Sequence, residues 1–177
     1  MSEKLILASD AIARIIDEYS QKIYDEIKGG EYAIIGVQTR GVELAKRIKK
    51  RIKEISGKEP RSGILDITFF RDDLSTRGYL PVIKETRIDF DINGMNVILV
   101  DDVIFTGRTT KAAIETLMGF GRPKSIRLFV LVDRGNRELP IQPDYCGFTI
   151  STGINDEIKV RLKETDSLDD SVILIKK

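Results

Sequence analysis

Four short runs constrain this chain more than any other feature: YAIIGV (32–37), GILDITFF (63–70), VILVD (97–101) and IRLFVLVD (126–133). YAIIGV, apolar throughout, reads as a strand buried on both faces, and the other three read as its neighbours. The stretches around them follow a helical period. A helix is predicted from Ser9, as N-cap, to about Lys28, with Ile12, Ile15, Ile16, Tyr19, Ile23 and Ile27 at three- and four-residue steps and Gly29-Gly30 ending it. A second spans about 41–55, with Val42, Ala45, Ile48, Ile52 and Ile55 inward, and a third runs from about Arg108 to Gly119. Strands alternating with helices predict an α/β fold, a parallel sheet flanked by helices, with ligands at the carboxyl ends of the strands. Residues 71–94 are polar and hold Gly78, Pro81 and Asn93-Gly94; so long an excursion in a compact domain is usually functional. Beyond Arg134 the pattern changes to short strands near 144–150, 158–162 and 172–176, without helices.

Composition limits the chemistry. The 177 residues suit one domain, and 41% apolar with 32% charged residues argues against both disorder and a membrane protein. No apolar run approaches the roughly 20 residues of a membrane helix. The start, MSEKLILAS, has too short an apolar stretch for a signal peptide, so a cytoplasmic location is expected. The single cysteine, Cys146, fits a reducing compartment. A net charge of +1 gives no global attraction to nucleic acid, although a local basic face stays open. The absence of histidine excludes Ser-His-Asp and Cys-His nucleophilic sites and imidazole-bound zinc. A general base must then be a carboxylate, Lys or Tyr, and a metal must accept oxygen ligands, which points to Mg²⁺.

Within those limits, VILVDDVIFTGRTT (97–110) is the candidate site. Asp101-Asp102 alone is a weak signal, because acids at strand ends also cap loops. Thr106-Gly107-Arg108-Thr109-Thr110 adds hydroxyls, backbone amides and a helix start within one turn, which suits a dianionic phosphate. The Gly-Lys-Ser/Thr ending of a Walker loop is missing. Carboxylates cannot bind phosphate but can accept hydrogen bonds from ribose hydroxyls, so phosphate and acids together imply a sugar phosphate.

VILVDDVIFTGRTT resembles the phosphoribosyl pyrophosphate (PRPP) motif of the type I phosphoribosyltransferases. IIGVQTRGVELAKRI (34–48), DITFFRDDLS (66–75) and FGRPKSIRLFVLVDRGNRELPIQPDY (120–145) resemble one branch, the pyrimidine-operon regulators that are also uracil phosphoribosyltransferases. The resemblance implies a single domain over 1–177, with a core to about 133, a hood over about 134–177 and a mobile loop over about 71–86. It implies transfer of phosphoribose from PRPP to uracil, giving UMP and pyrophosphate with Mg²⁺ held mainly through PRPP, by a homodimer or larger homo-oligomer. The catalytic candidates are Asp101, Asp102 and Arg40. Asp101 and Asp102 would hold the ribose hydroxyls, while Val103, Ile104, Phe105, Thr106, Gly107, Arg108, Thr109 and Thr110 cradle the 5′-phosphate. Thr39, Arg40 and Gly41 match the pyrophosphate loop, and Arg71 begins the mobile loop. Arg134 and the backbone near Ile158 are the candidates for reading the base.

The branch also implies binding of operon leader mRNA, with Arg137 on the hood's outer face and dispensable for transfer. Gln142, Phe148 and Ile154 are neutral where relatives tend to be basic, and Asp17 and Gln21 stand where Thr and His are usual. The basic run Lys46 to Lys53 is a further candidate, although such runs are commonly a solvated face. The alternative reading is a purine phosphoribosyltransferase without an RNA role.

Overall fold

A computed structural model describes residues 2–68 and 85–177. Five strands form a parallel sheet in the order β3-β2-β4-β5-β6: β2 (Tyr32–Val37), β3 (Arg61–Leu65), β4 (Asn96–Ile104), β5 (Ser125–Asp133) and β6 (Tyr145–Thr149). Alternate residues serve opposite faces, as strand geometry requires. Ile34, Ile98, Val100, Phe129 and Leu131 pack with Ile12, Ile16 and Ile23 of α1 (Ser9–Ile27) and with Leu44, Ile48 and Ile52 of α2 (Arg40–Ser56). Ile35, Val37, Val97, Leu99 and Val130 pack with Ala113 and Leu117 of α3 (Arg108–Met118) on the other face. The predicted α/β architecture of a parallel sheet flanked by helices is what forms.

Details differ at the ends. Ser9 is the first helical residue and not the cap; Ala8 occupies that position and makes no side-chain cap bond. β3 stops at Leu65 because the Asp66 carboxylate accepts the Thr68 amide and turns the chain. β4 runs three residues beyond the predicted Asp101, since Asp101, Val103 and Ile104 still pair with Val130, Val132 and Asp133 of β5. β6, expected among the tail strands, is an edge of the main sheet.

A second, antiparallel sheet of order β1-β8-β7 comprises β1 (Ser2–Leu7), β8 (Ser171–Lys176) and β7 (Glu157–Arg161). β1 went unpredicted because most of it is exposed and shows no alternation. The tail also contains a short helix, α4 (Lys163–Asp166). Two arginines of α2 fasten this extension to the core. Arg40 grips Asp166 through Nη2 (2.7 Å) and Nε (3.2 Å), and Arg47 reaches both Glu164 (2.6 Å) and Asp170 (2.5 Å).

These guanidiniums hold the Asp166, Asp170 and Glu164 carboxyls below their ordinary range. Carboxyls depressed on folding stabilise the native state above their unfolded values, about pH 4, and that stability is lost as pH falls through the depressed values. The melting temperature should therefore fall more steeply between pH 5 and 3, about where carboxyls titrate, in the wild type than in Asp166→Asn/Asp170→Asn. Parallel curves would contradict the assignment.

Candidate active site

The sheet order reverses between β2 and β4: the chain leaves β2 for β3 on one side and returns to β4 on the other. Loops at the carboxyl ends of two such strands diverge and leave a crevice, the usual ligand site of an open α/β sheet. The loop after β2 holds Thr39-Arg40-Gly41, and the end of β4 holds Asp101-Asp102.

Glycine brings the two loops together. A β carbon on Gly41 would collide with the Val100 carbonyl oxygen and lie 3.1 Å from Asp101 Cα. One on Gly36 would lie 2.5 Å from Val42 Cα. Gly36 lets the start of α2 lie against β2, and Gly41 lets it lie against β4. The peptide bond Gln38–Thr39 is cis, and Thr39 occupies the N-cap position of α2.

Asp101 is buried and Asp102 half-buried. Each carboxylate also organises its own strand end, since Asp101 Oδ1 accepts the Asp102 amide (2.9 Å) and Asp102 Oδ1 accepts the Val103 amide (2.9 Å). Val103 and Ile104 complete β4, Phe105 and Thr106 turn the chain, and Gly107 caps α3 with a φ of +92°. At the start of α3 the Arg108 amide donates to Thr106 Oγ1 (3.3 Å), and the amides of Thr109 and Thr110 belong to the first turn, whose donors find no carbonyl inside the helix. They converge on the turn, where helix polarity favours an anion.

The segment VDRGNRELP (132–140) braces this loop. Thr106 O accepts the amides of Glu138 (2.9 Å) and Leu139 (3.2 Å), and Arg108 Nε donates to Glu138 (2.6 Å). The Arg134 guanidinium stacks 3.9 Å from the Phe105 ring centre and donates to Thr152 Oγ1 (3.0 Å) and the Gly153 carbonyl (2.9 Å). It is 6% exposed, and burial pulls its pKa down. Arg137 was expected to face outward. Instead its side chain is only 14% exposed and donates to the carbonyls of Phe105 (2.8 Å) and Ile141 (2.8 Å) and to Asp133 (2.5 Å). Sequence reading singled out the arginines of this segment; it missed Asp133 and Glu138, whose placement depends on contacts across the fold.

The remaining candidates are scattered. Ile158 lies on β7, an edge of the small sheet. Arg71 falls outside the described residues. The basic run of α2 is not a free cationic stripe, because Lys46 pairs with Glu43, Arg47 with Glu164 and Asp170, and Arg51 with Asp17. Lys49 and Lys53 share Glu59 and pull its carboxyl down to about 2. A groove of about 420 Å³ beside this run, between α2 and β3, has no residue of 39–41 or 101–110 in its lining.

The Phosphoribosyl transferase domain family matches residues 2–165. The chain belongs to that family. Two relatives narrow the branch: the bifunctional protein PyrR of Deinococcus radiodurans is 49% identical over 93% of this chain and 90% of its own length. That of Caldicellulosiruptor bescii is 49% identical over 97% and 94%. This phosphoribosyltransferase is thus a member of the PyrR branch. Solved structures agree on the fold. A hypoxanthine phosphoribosyltransferase of Trypanosoma cruzi superposes with a TM-score of 0.76 at 18% identity, covering 98% of this chain and 95% of the other. A hypoxanthine-guanine phosphoribosyltransferase of Bacillus anthracis gives 0.74 at 19%, covering 99% and 100%.

Phosphoribosyltransferases generally take PRPP together with Mg²⁺. Among the described residues, no group of three or more His, Cys, Asp or Glu could hold a metal ion unaided. Asp101 and Asp102 nevertheless put hard oxygen donors beside the candidate phosphate loop. They fit a Mg²⁺ delivered on the substrate's phosphates, because that ion keeps several waters and takes few protein ligands. No helix among the described residues is long and apolar enough to cross a membrane.

Proposed function

We propose that this protein transfers phosphoribose from PRPP to uracil, forming UMP and pyrophosphate, and that it binds pyrimidine-operon leader mRNA. The observation that carries the enzymatic reading is the abutment of Gly41 on Val100 and Asp101. It sets a candidate pyrophosphate loop beside a candidate ribose-phosphate loop in one crevice.

In this reading the amides of 106–110 and the hydroxyls of Thr106, Thr109 and Thr110 hold the 5′-phosphate. Asp101 and Asp102 accept hydrogen bonds from the ribose hydroxyls. The backbone of 39–41 and the Arg40 guanidinium take the pyrophosphate. A uracil nitrogen attacks ribose C1, the C1–N bond forms as the C1–O bond to pyrophosphate breaks, and the uracil proton passes to solvent or to one of the paired acids. Mg²⁺, held mainly through PRPP, would supply positive charge to the leaving pyrophosphate. Everything else is positioning and fixed electrostatics, which a chain without histidine can supply. Arg134 and the backbone of β7 near Ile158 border the base, since an edge strand keeps one row of polar groups for a partner.

Pyrophosphate release tests this reading: it should require PRPP, Mg²⁺ and uracil together. Release with hypoxanthine or guanine but not uracil would favour the purine alternative. For the RNA role, binding should weaken with salt, as each neutralised phosphate releases counterions. The self-paired α2 and the neutral Gln142, Phe148 and Ile154 favour a shallow dependence. A titration against leader RNA and an unrelated hairpin measures it, and equal affinity for both would remove the regulatory role.

A further inference from the structure

The pyrophosphate loop does not end at Gly41. Arg40, the first residue of α2, is held by a carboxylate 126 positions later in the chain, with Asp166 Oδ1 on Nη2 and Oδ2 on Nε. Asp166 is fixed in turn, because Oδ2 also accepts the Leu162 amide at 2.9 Å. Arg40 is 29% exposed and Asp166 17%, so solvent still reaches both partners. The fork occupies the Nε–Nη2 edge of the guanidinium and turns Nη1 away from Asp166. The Asp166 carboxylate first, and the charge of Asp102 last and least, favour the charged form of the same guanidinium.

We infer that Asp166 is a positioning residue for Arg40, and that the C-terminal extension thereby helps bind the leaving pyrophosphate. This inference rests on the reading of 39–41 as the pyrophosphate loop. A long, flexible arginine loses rotamer freedom when it grips an anion. A bidentate carboxylate removes that freedom beforehand and leaves the outer donor aimed.

The second clamp supplies the control. Arg47, with Glu164 of α4 and Asp170 just beyond it, joins α2 to the same C-terminal extension without touching Arg40. If the clamps only hold α4 on α2, Asp166→Asn and Asp170→Asn should behave alike. If Asp166 positions Arg40, both variants should lower the melting temperature. Only Asp166→Asn should then weaken equilibrium binding of Mg²⁺-pyrophosphate and raise the KM for PRPP, by about five- to tenfold. Asp166→Glu, which keeps the charge, should recover part of the loss.

Binding and KM unchanged in Asp166→Asn would overturn the inference. Tighter pyrophosphate binding would overturn it too, since Asp166 would then be competing for Arg40. Arg40→Ala separates this from failure of the underlying reading. If Arg40→Ala also binds pyrophosphate normally, the loop assignment itself falls. If Arg40→Ala loses affinity and Asp166→Asn does not, only the positioning role falls.

Discussion

Asp101→Asn/Asp102→Asn is expected to fold and to lose transfer by about a hundred- to ten-thousandfold. Each charge-assisted hydrogen bond to a ribose hydroxyl should be worth roughly 1.5–3 kcal/mol, and each 1.4 kcal/mol is about tenfold in rate. Asparagine is the informative substitution because its amide oxygen can still accept the Asp102 and Val103 amides that the carboxylates accept now. The strand end is then kept while the charge is removed. Asp101 is buried, so the single variant Asp102→Asn is the safer first measurement. Steady-state turnover beside a melting curve checks both. Near-normal turnover in the double variant would leave the acids with a structural role only.

Arg137→Ala should destabilise the protein by about 3 kcal/mol, a drop of about 6–12 °C in melting temperature for a chain of this size. It removes bonds to two backbone carbonyls and leaves the Asp133 carboxylate, 14% exposed, with the Gly135 amide but without its cation. The lost bond to Phe105 O loosens the loop that carries the proposed phosphate site, so PRPP binding should weaken as well. This reverses the expectation from sequence that the residue is dispensable for transfer. Arg137→Lys should fall between, because lysine keeps the charge but cannot serve three acceptors with one rigid fork. Unchanged melting and transfer, with RNA binding alone lost, would return Arg137 to the outer face.

Legibility followed sequence distance. The candidate phosphate loop could be picked out because its parts are adjacent: a strand, two acids, a glycine turn and a helix start fall within 97–110. The same holds for α2, whose apolar positions repeat at helical steps. The sheet was readable from short apolar runs separated by helices. What was not readable joins distant positions. β1 pairs with β8, so the two ends of the chain build one sheet, and neither end announces the other. Arg47 looked like a member of a solvated basic face, and Arg40 like a residue of the candidate pyrophosphate loop alone, until their carboxylates arrived from α4 and its flanks. Arg137 reads as a surface charge in one dimension, and only the return of 137–141 across Phe105 turns it inward.

The proposed reaction is tested most directly by competition. The protein, PRPP and Mg²⁺ are incubated with equimolar uracil, hypoxanthine, guanine and orotate, and the nucleotides formed are separated and identified. The account predicts UMP as the dominant product, with no product when Mg²⁺ is chelated. A purine nucleotide as the main product would contradict the uracil assignment while leaving phosphoribosyl transfer in place, and no nucleotide from any base would contradict the account of the site.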